Sequence, residues 1–328
     1  MWPSMINSLF ATALVALLTG CGNSTPETKT TTAEPFVVLP ESVATQAMAR
    51  TAAFIRDCTP RDAGTDGARH AADWLTAALT ELGFSAGDPS APSLAWKLDE
   101  FRESTPHGER PFRNVLAAVP ARDPGNDWIV LLSHFDTKSG IAPRFEGAND
   151  GASSTALLLE LARWFKAHPL HRTNILCGFM DGEECQVAYS DQDGFHGSKR
   201  LAHQMKKRRA SVRAVILMDM VGDANLKLTV PRNGNAALRL LALEAAEAVG
   251  ERDKIGLFDG YIYDDHHAFF ELGFPAIDLI DFEYGNEHDE NAYWHTPEDT
   301  LDKLSSSSLY TTAKIVQEMI RRLDNSSR

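Results

Sequence analysis

Two periods of hydrophobicity alternate along this chain. Glu41 to Cys58 (ESVATQAMARTAAFIRDC) and Ala68 to Phe84 (ARHAADWLTAALTELGF) place apolar residues at steps of three and four, the spacing of a helix with one buried face. Gly83 is a helix stop. The pattern then shortens to apolar runs. Asn114 to Pro120 (NVLAAVP) and Trp128 to Phe135 (WIVLLSHF) predict strands, the second apolar on both faces. After these the two kinds of segment take turns. Ser153 to His168 predicts a helix, Asn174 to Met180 (NILCGFM) a strand, and Ser198 to Arg209 a helix with a basic end. Ala214 to Gly222 (AVILMDMVG) follows as a strand, Ala236 to Gly250 as a helix, Pro275 to Phe282 (PAIDLIDF) as a strand and Ser308 to Leu323 as a closing helix. No internal repeat interrupts the series. Apolar strands alternating with amphipathic helices predict a three-layer α/β/α fold around a central, mostly parallel, mixed and twisted sheet.

The amino-terminal part differs in kind. Residues 1–20 carry no charged side chain, and Leu9 to Leu18 (LFATALVALL) has the length of a signal-peptide core rather than of a membrane span. LLTGC, Leu17 to Cys21, resembles the lipobox of bacterial lipoproteins, which implies lipidation at Cys21. The lack of Lys and Arg before the apolar core departs from that pattern. Residues 21–35, rich in Thr, Pro and Glu, cannot bury a core and read as a flexible tether. The expected organisation is a signal peptide over 1–20, a tether over 21–35 and one catalytic α/β domain over 36–328. The expected setting is the bacterial cell envelope, lipid-anchored and periplasmic-facing. Gly22 and Asn23 lack an inner-membrane retention Asp, which favours the outer membrane.

Composition narrows the function only a little. The 328 residues are 43% hydrophobic and 23% charged, which suits one large globular domain. A formal net charge of −13 argues against nucleic acid as a partner. After Cys21, the three cysteines Cys58, Cys177 and Cys185 offer no even-numbered disulfide framework. Cys177, inside an apolar strand, reads as a buried thiol, and Cys185 is open to pairing.

Chemistry enters at the strand ends, where sites of open α/β sheets collect. His134 and Asp136 follow WIVLLS, and Asp150 precedes the next helix. Asp181, Glu183 and Glu184 follow NILCGFM, Asp219 ends AVILM, and His295 follows the PAIDLIDF strand after a loop. Taken singly, each has a plainer reading: Asp150 as the N-cap of a helix starting near Ala152, the Glu pair as solvated surface, His295 as a loop histidine. Asp219 within an apolar strand is harder to dismiss, because a buried carboxylate needs a partner. Taken together, imidazoles and carboxylates suit zinc, with an open position for catalysis on one ion, or with a bridging carboxylate between two. One of the two adjacent glutamates can bind metal while the other moves protons. His171, His196, His203 and His288 read as surface, and His266 and His267 as structural residues of a helix start.

The ordered motifs SHFD, GANDGASSTALLLELAR, FMDGEE, GSKRLA, MDMVG, DDHHAFFELGFPAI and WHTPEDT, over roughly Asn114 to Asp302, resemble the zinc aminopeptidases of family M28. They resemble more closely that family's animal-type glutaminyl-peptide cyclotransferases, or glutaminyl cyclases. The resemblance implies Asp150, Glu184 and His295 as ligands of one catalytic Zn2+, and Glu183 as general acid/base. It implies His134 and Asp219 as second-metal ligands in the two-zinc aminopeptidases. In the cyclases it implies that Asp219 joins Asp264 in a hydrogen-bond network and that Trp294 lines the substrate pocket. FMDGEE, Asp264 and Trp294 favour the cyclase. The expected substrate is the N-terminus of a peptide or protein, and the expected state is a monomer. The alternative is a two-zinc aminopeptidase built on the same ligands. The cysteine pair that some animal enzymes carry near the His-x-Asp is missing, and NEHDENAY lengthens the loop before Trp294.

Overall fold

Nine strands among the described residues make a single sheet in the order β1-β2-β3-β5-β4-β6-β9-β7-β8. They are β1 (Ser85–Ala86), β2 (Ala95–Thr105), β3 (Gly108–Val119), β4 (Asp127–His134), β5 (Asn174–Met180), β6 (Ser211–Asp219), β7 (Leu228–Val230), β8 (Ile255–Leu257) and β9 (Ala276–Ile280). The computed structural model describes residues 36–286 and 291–326. The signal peptide, the tether with Cys21, and His288 lie outside the described residues. No described helix is long and apolar enough to cross a membrane.

The centre of the sheet is parallel: β4 pairs with both β5 and β6, and β6 with β9. Antiparallel pairings of β3 with β2 and β5, and of β7 with β9, make it mixed. Alternate residues of the central strands enter opposite cores. Ile129 and Leu131 of β4 pack with α1 (Ser42–Cys58), α2 (Asp66–Glu81), α3 (Ser154–Ala167), α5 (Ala236–Ala248) and α7 (Ser306–Asn325). Val130 and Leu132 pack under α4 (His196–Lys207) and α6 (Asp265–Glu271). A strand covered on both faces cannot alternate apolar with polar, which is why these strands are continuous apolar runs. The three-layer α/β/α fold is therefore as expected from the sequence, and Gly83 ends α2 with a positive φ of 83°.

Two expectations change. The strand read at Asn114–Pro120 is the inner half of a long hairpin, β2 with β3, whose outer half is polar and exposed. That half lies at the sheet margin and buries one face at most, so it carries no apolar run. Asp150 is not the cap of α3. Ser153 is the residue before α3, and Asp150 lies in a separate turn, 148–153, at φ −96°, ψ 94°.

One buried cation ties that turn to the sheet. The Arg61 guanidinium is fully buried and donates to the carbonyls of Phe135 (2.7 Å), Glu146 (2.6 Å) and Gly147 (2.7 Å). It thereby holds the start and end of the stretch between β4 and Asp150. An Arg61→Ala change strands the Phe135 and Glu146 carbonyls, while that of Gly147 keeps the Ala152 N–H at 3.2 Å; each stranded acceptor is worth roughly 1–3 kcal/mol when left unpaired in the interior. The expected loss of unfolding free energy is therefore about 2–6 kcal/mol, read by urea titration. A loss below about 1 kcal/mol would show that water replaces the guanidinium at no cost.

Candidate active site

Parallel strands bring their carboxyl ends to one edge. His134 pairs in register with Met180, and Asp219 with Ile280, so β4, β5, β6 and β9 all terminate together. The residues that follow them form the site. His134 is the last residue of β4, Asp219 the last of β6, and Glu183 and Glu184 lie on the turn after β5. All four are buried.

Asp150 stands between two histidines. Its Oδ1 lies 3.1 Å from His134 Nε2, and its Oδ2 lies 3.3 Å from His295 Nε2. His134 Nε2 is also 3.1 Å from Asp219 Oδ1, and His295 Nε2 is 2.9 Å from Glu184 Oε1. Two overlapping groups result, His134–Asp150–Asp219 and Asp150–Glu184–His295, and within each the ligand atoms lie within 4.8 Å of one another. Gly151 is required here, because a Cβ on it would come within 2.4 Å of the His134 carbonyl and 2.7 Å of its ring. His295 itself has a positive φ of 52°, as does Met220, which follows Asp219, at 49°. Left-handed backbone at non-glycine residues costs free energy and persists where surrounding structure enforces it.

A supporting layer fixes these side chains. Asp136 accepts the backbone N–H groups of Glu183 (3.2 Å) and Glu184 (3.1 Å). Its Oδ1 also lies 3.7 Å from His134 Nδ1. Asp299 accepts the N–H of Asn149 (2.8 Å) and of Asp150 (3.2 Å) and the hydroxyl of Tyr284 (2.8 Å). Asp264 caps α6 by accepting the Asp265 N–H. Trp294 stacks on the His295 ring at 4.2 Å between centroids and tilts against Phe282 at 5.2 Å.

Burial and like charge set the electrostatics. Glu183 is pushed well above the ordinary carboxyl range by burial first, then by the negative charges of Glu184 and Asp264. Asp264 is raised by burial and by Asp219. Glu184 is raised by burial and by Asp150. Burial disfavours charge on His295, but Asp150 and Glu184 outweigh it and lift the ring to about 10. So many carboxylates in a dry pocket call for a cation, and the donor set of imidazole nitrogen and carboxylate oxygen fits zinc. The second-layer carboxylate facing His134 is also what metal-bound histidines have.

Every site residue read from the sequence lies at this edge of the sheet. Others there were not anticipated: Asp299 and Asp265, both fully buried, and Lys138 and Tyr189, which touch Glu184. Asp299 had a usable signal in the WHTPEDT motif. His196 is a correction. It is buried rather than at the surface, stacked on Phe112 at 4.3 Å with its Nδ1 2.8 Å from Glu103. The pairing of Cys185, open in the sequence, is settled among the described residues: Cys58, Cys177 and Cys185 are free, buried thiols. Cys185 Sγ accepts from Lys138 Nζ at 2.8 Å.

Fold and site together define a mixed α/β protein with a candidate metal site at the carboxyl edge of its sheet. Residues 114–320 match the model of peptidase family M28, and the chain belongs to that family. The mouse glutaminyl-peptide cyclotransferase-like protein is 28% identical over 256 residues, 68% of this chain and 64% of its own length. A glutaminyl cyclase crystal structure from an Acidobacteriales bacterium is 30% identical, with a TM-score of 0.76, covering 86% of this chain and 94% of that one. A Zn-dependent exopeptidase from Parabacteroides distasonis, 21% identical with a TM-score of 0.72, shares the fold; the match covers 86% of this chain and 98% of that one.

Proton linkage gives this site a testable pH signature. Asp299 and Asp265 have ordinary values of 3.8 and are raised to about 7 in the fold, by burial above all. Between those values the folded protein holds more protons than the unfolded chain, so metal-free stability falls as pH rises. His295, raised from 6.5 to about 10, loses its contribution in the same direction at higher pH. Zinc needs deprotonated ligands and binds the folded form. The rise in melting temperature on adding zinc to chelator-treated protein should therefore be larger at about pH 8 than at about pH 5.5. Equal shifts at both pH values would contradict the linkage.

Proposed function

We propose that this protein is a zinc-dependent glutaminyl-peptide cyclotransferase, converting the N-terminal glutamine of peptides or proteins to pyroglutamate with release of ammonia. The observation that carries the reading is the seat of Glu183. It is buried between Glu184, on the metal-ligand side, and Asp264, with Trp294 stacked on the neighbouring His295. The similarity to glutaminyl cyclases supports it independently.

Asp150, Glu184 and His295 would hold a single zinc ion. The chemistry that ion supplies when bound is polarisation of the γ-carboxamide carbonyl and stabilisation of negative charge on its oxygen. The rest falls to the chain. The substrate's α-amine attacks the δ-carbon of its own side chain, forming the ring C–N bond while the C–N bond to ammonia breaks. Both ends belong to one residue, so holding the right conformer removes most of the entropic barrier. Glu183 takes a proton from the amine and passes it to the departing nitrogen. Its raised affinity for protons suits a group that must both accept and donate near neutral pH. Asp219 is close enough to raise the proton affinity of Asp264, and the two would orient the amine. Trp294 would pack on the glutamine methylenes and keep water from the carbonyl.

A second reading has its own observation. The two oxygens of Asp150 face different histidines, as a carboxylate bridging two ions would. With His134 and Asp219 as ligands of a second zinc, Glu183 would activate water and the enzyme would be an aminopeptidase. For the amino-terminal region we propose lipidation at Cys21, on the LLTGC motif, and attachment to the outer membrane facing the periplasm, on Gly22 and Asn23 in place of a retention Asp.

Purified protein incubated with a Gln-initiated and a Leu-initiated peptide, with products read by mass, separates the two. Loss of ammonia from the first peptide with the second untouched is expected; release of free leucine would make the protein an aminopeptidase. Glu183→Gln should lower kcat by about 10²–10⁴-fold, the range for a general acid/base, while zinc content stays that of the parent. Retained turnover in that variant would remove Glu183 from the proton path.

A further inference from the structure

The two oxygens of Glu184 have different company. Oε1 faces His295 Nε2 at 2.9 Å, on the side of Asp150. Oε2 faces away from that group and is met by two donors: the Tyr189 hydroxyl at 3.2 Å and the Lys138 ammonium at 3.5 Å. The same Tyr189 hydroxyl lies 3.5 Å from Glu183 Oε1. One phenol thus touches both adjacent glutamates.

Neither donor is there by accident of a floppy surface. Lys138 Nζ donates to the Cys185 carbonyl at 2.7 Å and sits 2.8 Å from Cys185 Sγ, which fixes its position beside Glu184. It also lies 5.3 Å from the centre of the Tyr189 ring, a cation–π distance that couples the two donors. Tyr189 ends a tight loop built on Asp193, whose carboxylate accepts the N–H groups of Gln186 (2.6 Å), Val187 (2.8 Å) and Ala188 (3.0 Å). Its ring stacks on Phe195 at 4.8 Å with 14° between the planes. Tyr189 as a residue is 43% exposed, yet its hydroxyl reaches the buried glutamates. A side chain that spans from solvent to the floor of a site, held on a rigid loop, is a positioning device.

We propose that Lys138 and Tyr189 clamp the outer oxygen of Glu184, so that Glu184 offers a single oxygen, Oε1, to the metal, and that Tyr189 also sets the orientation of Glu183. Both are positioning residues. The clamp rests on the reading of Glu184 as a metal ligand. It requires no particular reaction, because orientation of a ligand by its outer partners acts on metal affinity directly. The phenol does more, since it is shared with the proton-moving group and must therefore act on turnover as well.

The test uses Tyr189→Phe, which removes only the hydroxyl, Lys138→Met, which removes the ammonium with its bonds to Cys185, Lys138→Arg and the pair of losses combined. Zinc affinity is measured by competition with a chromophoric chelator in the absence of substrate. Tyr189→Phe and Lys138→Met should each weaken zinc binding about 10-fold or more, the range for loss of an outer partner of a ligand. The combined variant should lose less than the product of the two, because both donors serve one oxygen. Lys138→Arg should recover most of the affinity. With zinc saturating, Tyr189→Phe should lower kcat on a Gln-initiated peptide and leave KM unchanged. A residue that only stabilised the fold would lower the melting temperature of the metal-free protein and leave this pattern absent. Parental zinc affinity in both single variants would overturn the clamp. Should Tyr189→Phe lower the metal-free melting temperature, the Lys138→Met loss and Lys138→Arg rescue decide alone. The competition assay contains no peptide, so failure of the wild type to cyclise glutamine would sink the cyclase reading without touching this result.

Discussion

Everything at the carboxyl edge of this sheet depends on one carboxylate held between two imidazoles. Asp150 sits 3.1 Å from His134 and 3.3 Å from His295, and each histidine reaches a second carboxylate, Asp219 or Glu184. A buried carboxylate is tolerated only with partners that repay its lost hydration. The fold is arranged to supply them. Arg61 anchors the loop that leads to Asp150, Asp299 holds its backbone N–H, and Gly151 lets the His134 carbonyl come close. None of these three residues offers an atom to either ligand group, yet each constrains where Asp150 can stand.

That dependence explains what the sequence made visible. Parallel strands buried on both faces are long apolar words, and a polar residue at the end of such a word is conspicuous. His134, Asp219 and the Glu183–Glu184 pair were legible for that reason. His295 and Asp150 lie on turns, where polar residues are ordinary, and only the joint pattern raised them. Asp150 alone read equally as a helix cap, and the backbone turn at 148–153 is what excludes that reading. His196 escaped because its burial comes from a tertiary partner, the Phe112 ring on β3, which no local pattern announces. Lys138 and Tyr189 escaped for a related reason: their neighbours in sequence are loop residues, and their meeting point on Glu184 exists only after the loop folds on Asp193. The β2–β3 hairpin was half missed because an exposed strand shows no apolar run.

The interior behind the ligands is as acidic as the ligand shell. Asp264, Asp265 and Asp278 are buried beneath α6 and at β9, and Asp278 Oδ2 lies 3.8 Å from His266 Nδ1. Burial pushes His266 down to about 3, so this histidine is neutral and brings no positive charge. Burial above all raises all three aspartates, the charge of Asp219 adds to it in each case, and Asp265 reaches about 7. These groups therefore hold protons where a surface carboxyl would not.

Proton content and metal content are two answers to one electrostatic demand. Asp150, Glu183, Glu184, Asp219, Asp264, Asp265 and Asp278 crowd a region whose cationic partners include His134, His295, Lys138 and, behind Asp150, Arg61. A divalent ion in the Asp150–Glu184–His295 group neutralises part of the excess, and the remainder must be carried by protons or by a second ion. Two ions would drain protons from Asp219 and its neighbours and leave Glu183 a plain ionised base, which serves the activation of water. One ion leaves a proton-bearing network behind Glu183, which serves a group that must take a proton and return it within one reaction. Asp264 lies deep beside Asp219, where burial favours the protonated acid. Under the proposed function, the choice between cyclisation and hydrolysis would fall to the carboxyls behind the ligands, since the ligands themselves would serve both.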